Sequence, residues 1–353
     1  MCAFNMGKDM HLGIFASSFK TLMKLNISVR FPRDRRRNCT TAVSETATTA
    51  APTTRYLILF QYFGTKYSGV VVAPPNQEVF GVLNYLEKAT ERLRPTTPIK
   101  FVVSSRTDSG VHALCNTAHI DIEKKPGKPP FSEDVLIKSF NRFLKSEPIR
   151  VLSVHRVPDT FHARFSALSR TYVYRVATGC SSPFEMPVFE QNLCWATCRG
   201  HFNLLAMREA AAVLEGTHDF STFRSASDDQ PFRSPWRTLM RAEVRPSSGF
   251  LMHHSQDSEL RFWELEFQAR SFLYKQVRRM AGVLVAVGQN RLQPHHVESL
   301  LEARDLMAYP KNVIAPAHGL FLKEVEYCED DLEMGATEEE QSGWMEQGPL
   351  EDC

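Results

Sequence analysis

Arg106 and Asp108 stand two residues apart in the segment SSRTDSGVHA (104–113), just after the apolar run Phe101-Val102-Val103. Side chains two apart on an extended chain point the same way. A strand ending here would present a guanidinium and a carboxylate to one side. A cation beside a carboxylate favours the ionised form, which suits Asp108 to act as a base or a nucleophile. Asp-Ser-Gly is also an ordinary turn sequence, and that accounts for Ser109 and Gly110 without any chemistry. His112, next to the turn, is a candidate partner, although a histidine in such a place is more often structural.

Two further clusters carry charge and aromatic rings together. FHARFSALSRTYVYR (161–175) gathers His162, Arg164, Arg170, Tyr172 and Tyr174 where a strand begins. Basic residues interleaved with aromatics suit RNA, because the cations meet phosphates and the rings stack on unpaired bases. Tyr172 and Tyr174 share one strand face, so at least one ring points inward; both being plain core is the competing reading. In YKQVRRM (274–280), Lys275, Arg278 and Arg279 fall at i, i+3 and i+4 of an expected helix. They would form a basic face opposite the apolar stripe, lining an anion channel or simply meeting solvent.

Other chemistries find little support. Cys194-Trp-Ala-Thr-Cys198 with His201 is the one spacing that suggests a metal, and it lacks a second ligand pair. The chain carries no Walker-type loop, dinucleotide fingerprint, HExxH or GxSxG. A carboxylate working without metal or cofactor leaves isomerases, glycosidase-like enzymes and lyases.

The elements that would position these residues are readable from periodicity. RYLILFQYFG (55–64), PIKFVVSS (98–105), ALCNTAHIDIE (113–123) and IRVLSVHRV (149–157) read as strands. VFGVLNYLEKATERL (79–93) and EDVLIKSFNRFL (133–144) read as helices. The order β-α-β-β-α-β is a ferredoxin-like split unit. A looser second set follows. SRTYVYRVA (169–177), LMRAEVRP (239–246), LRFWELEFQA (260–269) and GLFLKEVEY (319–327) read as strands. FNLLAMREAAAVLEG (202–216), SFLYKQVRRMAGVLVAVG (271–288) and HVESLLEARD (296–305) read as helices. Two α+β halves, 55–160 and 161–328, should bring their sheets edge to edge and leave a groove between them.

The 353 residues, 43% hydrophobic with 24 Phe, are enough for a substantial core. A formal net charge of +2 conceals an asymmetry: residues 329–353 hold ten acidic and no basic residues, and residues 1–54 hold eight basic and three acidic. The body between them therefore has a surplus of seven basic residues, which is compatible with a polyanionic partner. Residues 1–54, acid-poor with Arg and Ser, read as a mitochondrial transit peptide followed by a Thr/Ala linker. The alternative is a basic tail meeting nucleic acid or an import receptor, in the cytoplasm or nucleus. The eight scattered cysteines, without a secretory leader, read as reduced thiols. Nothing reaches the ~18 apolar residues of a membrane span.

Taken together the motifs resemble the TruA family of tRNA pseudouridine synthases. SRTDSGVHA is similar to that family's GRTDAGVHA, and FHARFSALSRTYVY to its FHARFSA…R-x-Y-x-Y stretch. LEGTHDFSTFR, RSPWRTL, QVRRMAGVL and APAHGLFL follow in the family's order, so the resemblance covers about Arg55 to Tyr327. It implies an α+β pseudouridine synthase fold, two α/β halves with a joined, mainly antiparallel sheet and a central RNA-binding cleft.

The resemblance also implies that Asp108 is the catalytic aspartate, acting on a uridine flipped out of tRNA at a cost of a few kcal/mol. Arg106 would occupy the place of the flipped base, Tyr172 would stack on the uracil, Arg278 would pair with the aspartate, and Leu320 would wall the pocket. Arg164, Lys275 and Arg279 are expected to meet RNA. No cofactor and no metal are implied. Messenger RNA is a further candidate substrate, and a homodimer rests on family likeness alone.

Departures from the family pattern are specific. Its early YDGxxYxGWQ reads here Tyr62-Phe63-Gly64-Thr65-Lys66-Tyr67-Ser68-Gly69-Val70-Val71, without the Asp, Trp and Gln; Ser105 stands for a Gly and Ser109 for an Ala. A catalytically idle RNA-binding protein that keeps the fold is the competing function. A glycosidase would want a second acid within about 5–10 Å, and no paired acidic motif stands out.

Overall fold

A computed structural model describes residues 53–123, 127–197, 202–226, 234–249 and 259–333. The expected leader, apart from residues 53 and 54, and most of the acidic tail fall outside them.

The first half begins with strand β1 (Thr53–Tyr62), helix α1 (Val82–Thr90) and a two-residue strand β2 (Val102–Val103). Strand β3 (His112–Glu123), helix α2 (Glu133–Phe143) and strand β4 (Ile149–Arg156) complete it. The expected β-α-β-β-α-β order is present. The long strand expected over 98–105 is not: only Val102 and Val103 pair, with His119 and Ala118 of β3. The apolar residues before them are used differently. Ile99 and Phe101 are buried without joining the ladder, and Phe101 meets Phe140 of α2 edge-on. Burial dictated the composition there, and strand pairing did not.

The second half contains β5 (Ser169–Thr178), β6 (Trp195–Ala196), α3 (Leu204–Leu214) and β7 (Gly216–Asp219). It continues with β8 (Trp236–Ser247), β9 (Arg261–Ala269), α4 (Gln276–Gly288), α5 (Pro294–Ala303) and β10 (Leu320–Glu326). Among the described residues ten strands form one sheet in the order β4-β1-β3-β10-β5-β9-β8-β7, with β2 on β3 and β6 on β5. The pairings are antiparallel except β10 with β3 and β5 with β6. The last strand of the chain therefore joins the two halves.

Helix α4 corrects one expectation. Its first helical residue is Gln276, and every residue in it except Arg278 is buried. Lys275 precedes it in the left-handed region, at φ 58°. The expected i, i+3, i+4 basic face therefore does not form. A helix apolar on nearly all sides is a core helix, and its buried Val, Leu and Met side chains are each worth about 1.5–3 kcal/mol of transfer free energy. Gly282 explains how a neighbour comes so near: a Cβ there would sit 2.0 Å from the carbonyl oxygen of Val313. The segment 313–315 thus lies directly on α4, and the Ala315 N–H donates to the Arg278 carbonyl at 3.1 Å.

Candidate active site where the sheet divides

Strand β3 touches β10 only through His112–Phe321 and Ala113–Leu322. Farther along β3 its edge is taken by β2, at Ala118 and His119, while β10 runs on beside β5 as far as Glu326 and Ser169. The sheet therefore divides after a two-residue seam, and the chain from Ser104 to Gly110 runs in that division. Ser104 N–H donates to Thr117 O at 2.8 Å, after which the chain leaves β3. A turn closed by Val111 N–H to Asp108 O (3.2 Å), with Gly110 at φ 77°, brings it back into β3. Turn and carboxylate are the same feature, since the turn is what exposes Asp108.

Asp108 faces Arg278 of α4. One Oδ of Asp108 lies 3.4 Å from a terminal nitrogen of Arg278, the two side chains being 24% and 15% exposed. Arg278 is itself aimed by a hydrogen bond from Nε to the Ala315 carbonyl at 2.9 Å. A guanidinium with one edge held by backbone and the other on a carboxylate has little freedom to wander. Arg106 is exposed on the same loop, and the ion partner of Asp108 is Arg278, not Arg106. The pairing with Arg278 that the resemblance implies is thus present, across 170 residues, and it takes the place of the local pairing with Arg106.

Tyr172 is 6% exposed on β5, with its hydroxyl 2.7 Å from Ser105 Oγ and its ring edge-on to Phe272 at 5.2 Å between centroids. Burial pushes its phenol up to about 12, so it stays protonated at neutral pH. Leu320, 5% exposed, opens β10 opposite Tyr174, whose hydroxyl donates to Pro316 O at 2.8 Å. Both tyrosines are buried, but only the Tyr172 hydroxyl is held by the loop that carries Asp108.

Asn116, which the sequence reading passed over, and Tyr62 and Arg170, which it named without this role, hold that loop. Asn116 of β3, 0% exposed, donates to the Ser105 carbonyl at 3.0 Å and to the Tyr62 hydroxyl at 3.4 Å. The Tyr62 hydroxyl is 2.8 Å from Thr107 Oγ1. Arg170, 6% exposed, donates to Ser104 O (3.1 Å), Ser104 Oγ (3.0 Å), Arg164 O (2.9 Å) and the Arg270 carbonyl. Burial lowers its pKa. An asparagine at an inward position of β3, among Ala118, Ile120 and Ile122, was the available signal, because a buried amide must find partners.

The other expected residues are placed as follows. Arg164 gives its carbonyl to Arg170, and its guanidinium lies 5.8 Å from the ring of Phe165, which is 68% exposed. Lys275 is partly exposed with Nζ 4.8 Å from the Tyr274 ring. Arg279 is 8% exposed, donates to the Arg224 carbonyl, and stacks at 3.8 Å on the ring of Tyr309. Its guanidinium is committed to the protein, which corrects the expectation that it meets RNA.

His112 is structural. Its Nδ1 accepts from Gly64 N–H at 3.0 Å, and Nε2 lies 3.0 and 3.1 Å from the carbonyls of Asn192 and His318. Burial pulls its pKa down to about 4. Cys194 is buried, with its thiol pushed up to about 12 by burial; Cys198 and His201 lie outside the described residues. Among the described residues no cluster of metal-ligating side chains occurs, and no helix is long and apolar enough to cross a membrane.

A family model described as tRNA pseudouridine synthase matches residues 210–328. The chain is 58% identical over 287 residues to tRNA pseudouridine synthase-like 1 of Xenopus laevis, covering 81% of this chain and 96% of the relative. It is 51% identical to the Homo sapiens protein of that name, over 77% of this chain and 90% of the relative. It is 35% identical to tRNA pseudouridine synthase A of Afipia carboxidovorans, over 77% of this chain and 99% of the relative. The chain belongs to the tRNA pseudouridine synthase family.

As a family member it has the α+β fold expected of it, and the altered early motif has a visible place. Tyr62 ends β1 beside Thr107, and Val70 N–H donates to the Thr107 carbonyl at 3.1 Å. Gly69, at φ 101°, allows this approach, since a Cβ there would stand 2.5 Å from the Thr107 oxygen. The motif that lost its Asp, Trp and Gln still backs the loop that carries Asp108.

Proposed function

We propose that this chain isomerises uridine to pseudouridine in tRNA with Asp108 as the catalytic carboxylate. The observation that carries the reading is the Asp108–Arg278 pair in the division between the two half-sheets. A carboxylate held there by a fixed guanidinium can act at C1′ of a flipped uridine. The N1–C1′ bond breaks, the uracil turns, and C5 takes the place of N1 while the C5 proton leaves to water and N1 takes up a proton from water. Tyr172 and Leu320 form the walls of the uracil pocket, and exposed Arg106 fills the gap that the flipped base leaves. Arg164 and Lys275 meet RNA phosphates.

Incubating the protein with tRNA carrying tritium at uracil C5 tests the reading. Wild type releases tritium and Asp108→Asn does not. Binding of tRNA without release would instead identify an idle RNA-binding protein that keeps the fold. Mitochondrial messenger transcripts in the same assay test whether the substrate range extends beyond tRNA.

The location and assembly of the enzyme belong to the same proposal. The basic, acid-poor residues 1–54 act as a mitochondrial leader, and a reporter fused to them should enter mitochondria; a diffuse signal would refute this. The enzyme works as a homodimer by likeness to its family, and a sedimentation mass of one chain would overturn that.

A further inference from the structure

Ser105 sits three residues before Asp108, and its hydroxyl is 2.7 Å from the hydroxyl of Tyr172 on the opposite half of the fold. Its carbonyl is held separately by Asn116 at 3.0 Å. The same residue thus touches the support of the loop through its backbone and the Tyr172 ring through its side chain. The family residue at this position is glycine, which has no hydroxyl to offer. We infer that Ser105 is a positioning residue, a tether that fixes Tyr172 to the loop carrying Asp108.

The geometry explains why a tether matters. Tyr172 belongs to β5 and Asp108 to the loop before β3, and among the described residues the strand ladder links β3 to β5 through the short seam with β10. The ring is buried in the core, and its edge contact with Phe272 also comes from the second half. The hydrogen bond to Ser105 crosses the division directly. It holds the far end of the ring, and the ring's tilt relative to the carboxylate is then set by both halves. The hydroxyl is occupied by Ser105, so Tyr172 works through its ring face while the phenol stays neutral.

This inference rests on the proposed reaction, and a double-mutant cycle tests it. Ser105→Ala and Tyr172→Phe each remove one hydroxyl and keep the backbone hydrogen bond to Asn116. Each should lower kcat on tRNA about fivefold, the size of one ordinary hydrogen bond, with KM within twofold. The double variant should be no slower than the slower single one. Wild-type kcat in Ser105→Ala, or losses that multiply in the double variant, would overturn the tether.

A second readout is independent of turnover. With tyrosine labelled with 13C at Cζ, the Tyr172 resonance is identified by its loss in Tyr172→Phe. It should move in Ser105→Ala, and an unmoved resonance would overturn the tether even in a protein that releases no tritium. Absence of release by wild type refutes the proposed reaction, while release by wild type with an unmoved resonance refutes the tether alone.

Discussion

The guanidinium of Arg170 reaches the backbone and hydroxyl of Ser104, four residues before Asp108, from a strand of the other half of the sheet. The same guanidinium holds the carbonyls of Arg164 and Arg270. A buried cation satisfied by oxygens of three segments makes those segments one body. Only a planar fork can serve several acceptors at fixed angles.

Arg170→Lys should therefore fail although it keeps the charge. A compact ammonium reaches fewer of these acceptors and leaves buried carbonyls unsatisfied, a loss of roughly 1–3 kcal/mol each. The expected result is a free energy of unfolding, extrapolated from urea titration, lowered by several kcal/mol, and a kcat lowered at least tenfold. A lysine variant as stable and active as wild type would show that the hub does not matter.

The Arg278–Asp108 contact predicts a different pattern. Arg278→Ala removes a charge-assisted contact worth about 1.5–3 kcal/mol, and it also frees the Ala315 carbonyl. Tritium release should fall 10- to 100-fold while the affinity for tRNA changes little, because the pair is largely buried inside the division. Loss of affinity with unchanged kcat would move Arg278 from the reaction to RNA binding.

How far these relationships were visible beforehand depends on their range in sequence. Elements with clear periodicity, such as β1, α2 and β9, lie within a few residues of where hydrophobic patterning puts them, because patterning records local burial. A groove between two half-sheets was expected from the order of elements, but the place where the sheet divides was not visible. It depends on β10, the last strand, meeting β3 over two residues, and no local pattern encodes that pairing. The Arg106–Asp108 pairing was a local inference and does not form, whereas Arg278 of α4, which pairs instead, was reached only through the resemblance and not through any local pattern. Arg279 misled for the same reason. Side-chain type suggests exposure, but a guanidinium can be buried when an aromatic face and a carbonyl receive it.

Arg279 and Arg164 should separate cleanly in binding experiments. Arg279→Met removes a cation stacked on Tyr309 and should cost about 2 kcal/mol of stability. The salt dependence of tRNA binding should not change. Arg164→Gln and Lys275→Gln should leave stability nearly unchanged and reduce the slope of log affinity against log salt by about 0.7–0.9 each. If Arg279→Met lowered that slope, its guanidinium would have to leave Tyr309 in the complex.

Strand β3 should respond to acid at two places, at the seam through His112 and beside β2 through His119. His112 and His119 are held in the fold with pKa values pulled down to about 4 by burial, against an ordinary value of 6.5. The folded protein therefore keeps both rings neutral at pH values where the unfolded chain takes up protons. Their contribution to stability is full above pH 6.5 and is lost as pH falls toward 4, by up to about 1.4 kcal/mol per pH unit for each group. The geometry agrees with the sign, since protonating Nδ1 of His112 removes the acceptor of the Gly64 N–H. Carboxylates whose pKa is lowered, such as Asp121 beside Arg55, lose their contribution only at lower pH, so the interval from 6.5 to 4.5 reports mainly on histidines. Urea unfolding across that interval should show stability falling with acid. In His112→Asn the fall should be shallower by about one proton, and an identical slope in the variant would show that His112 is not the group titrating at the seam.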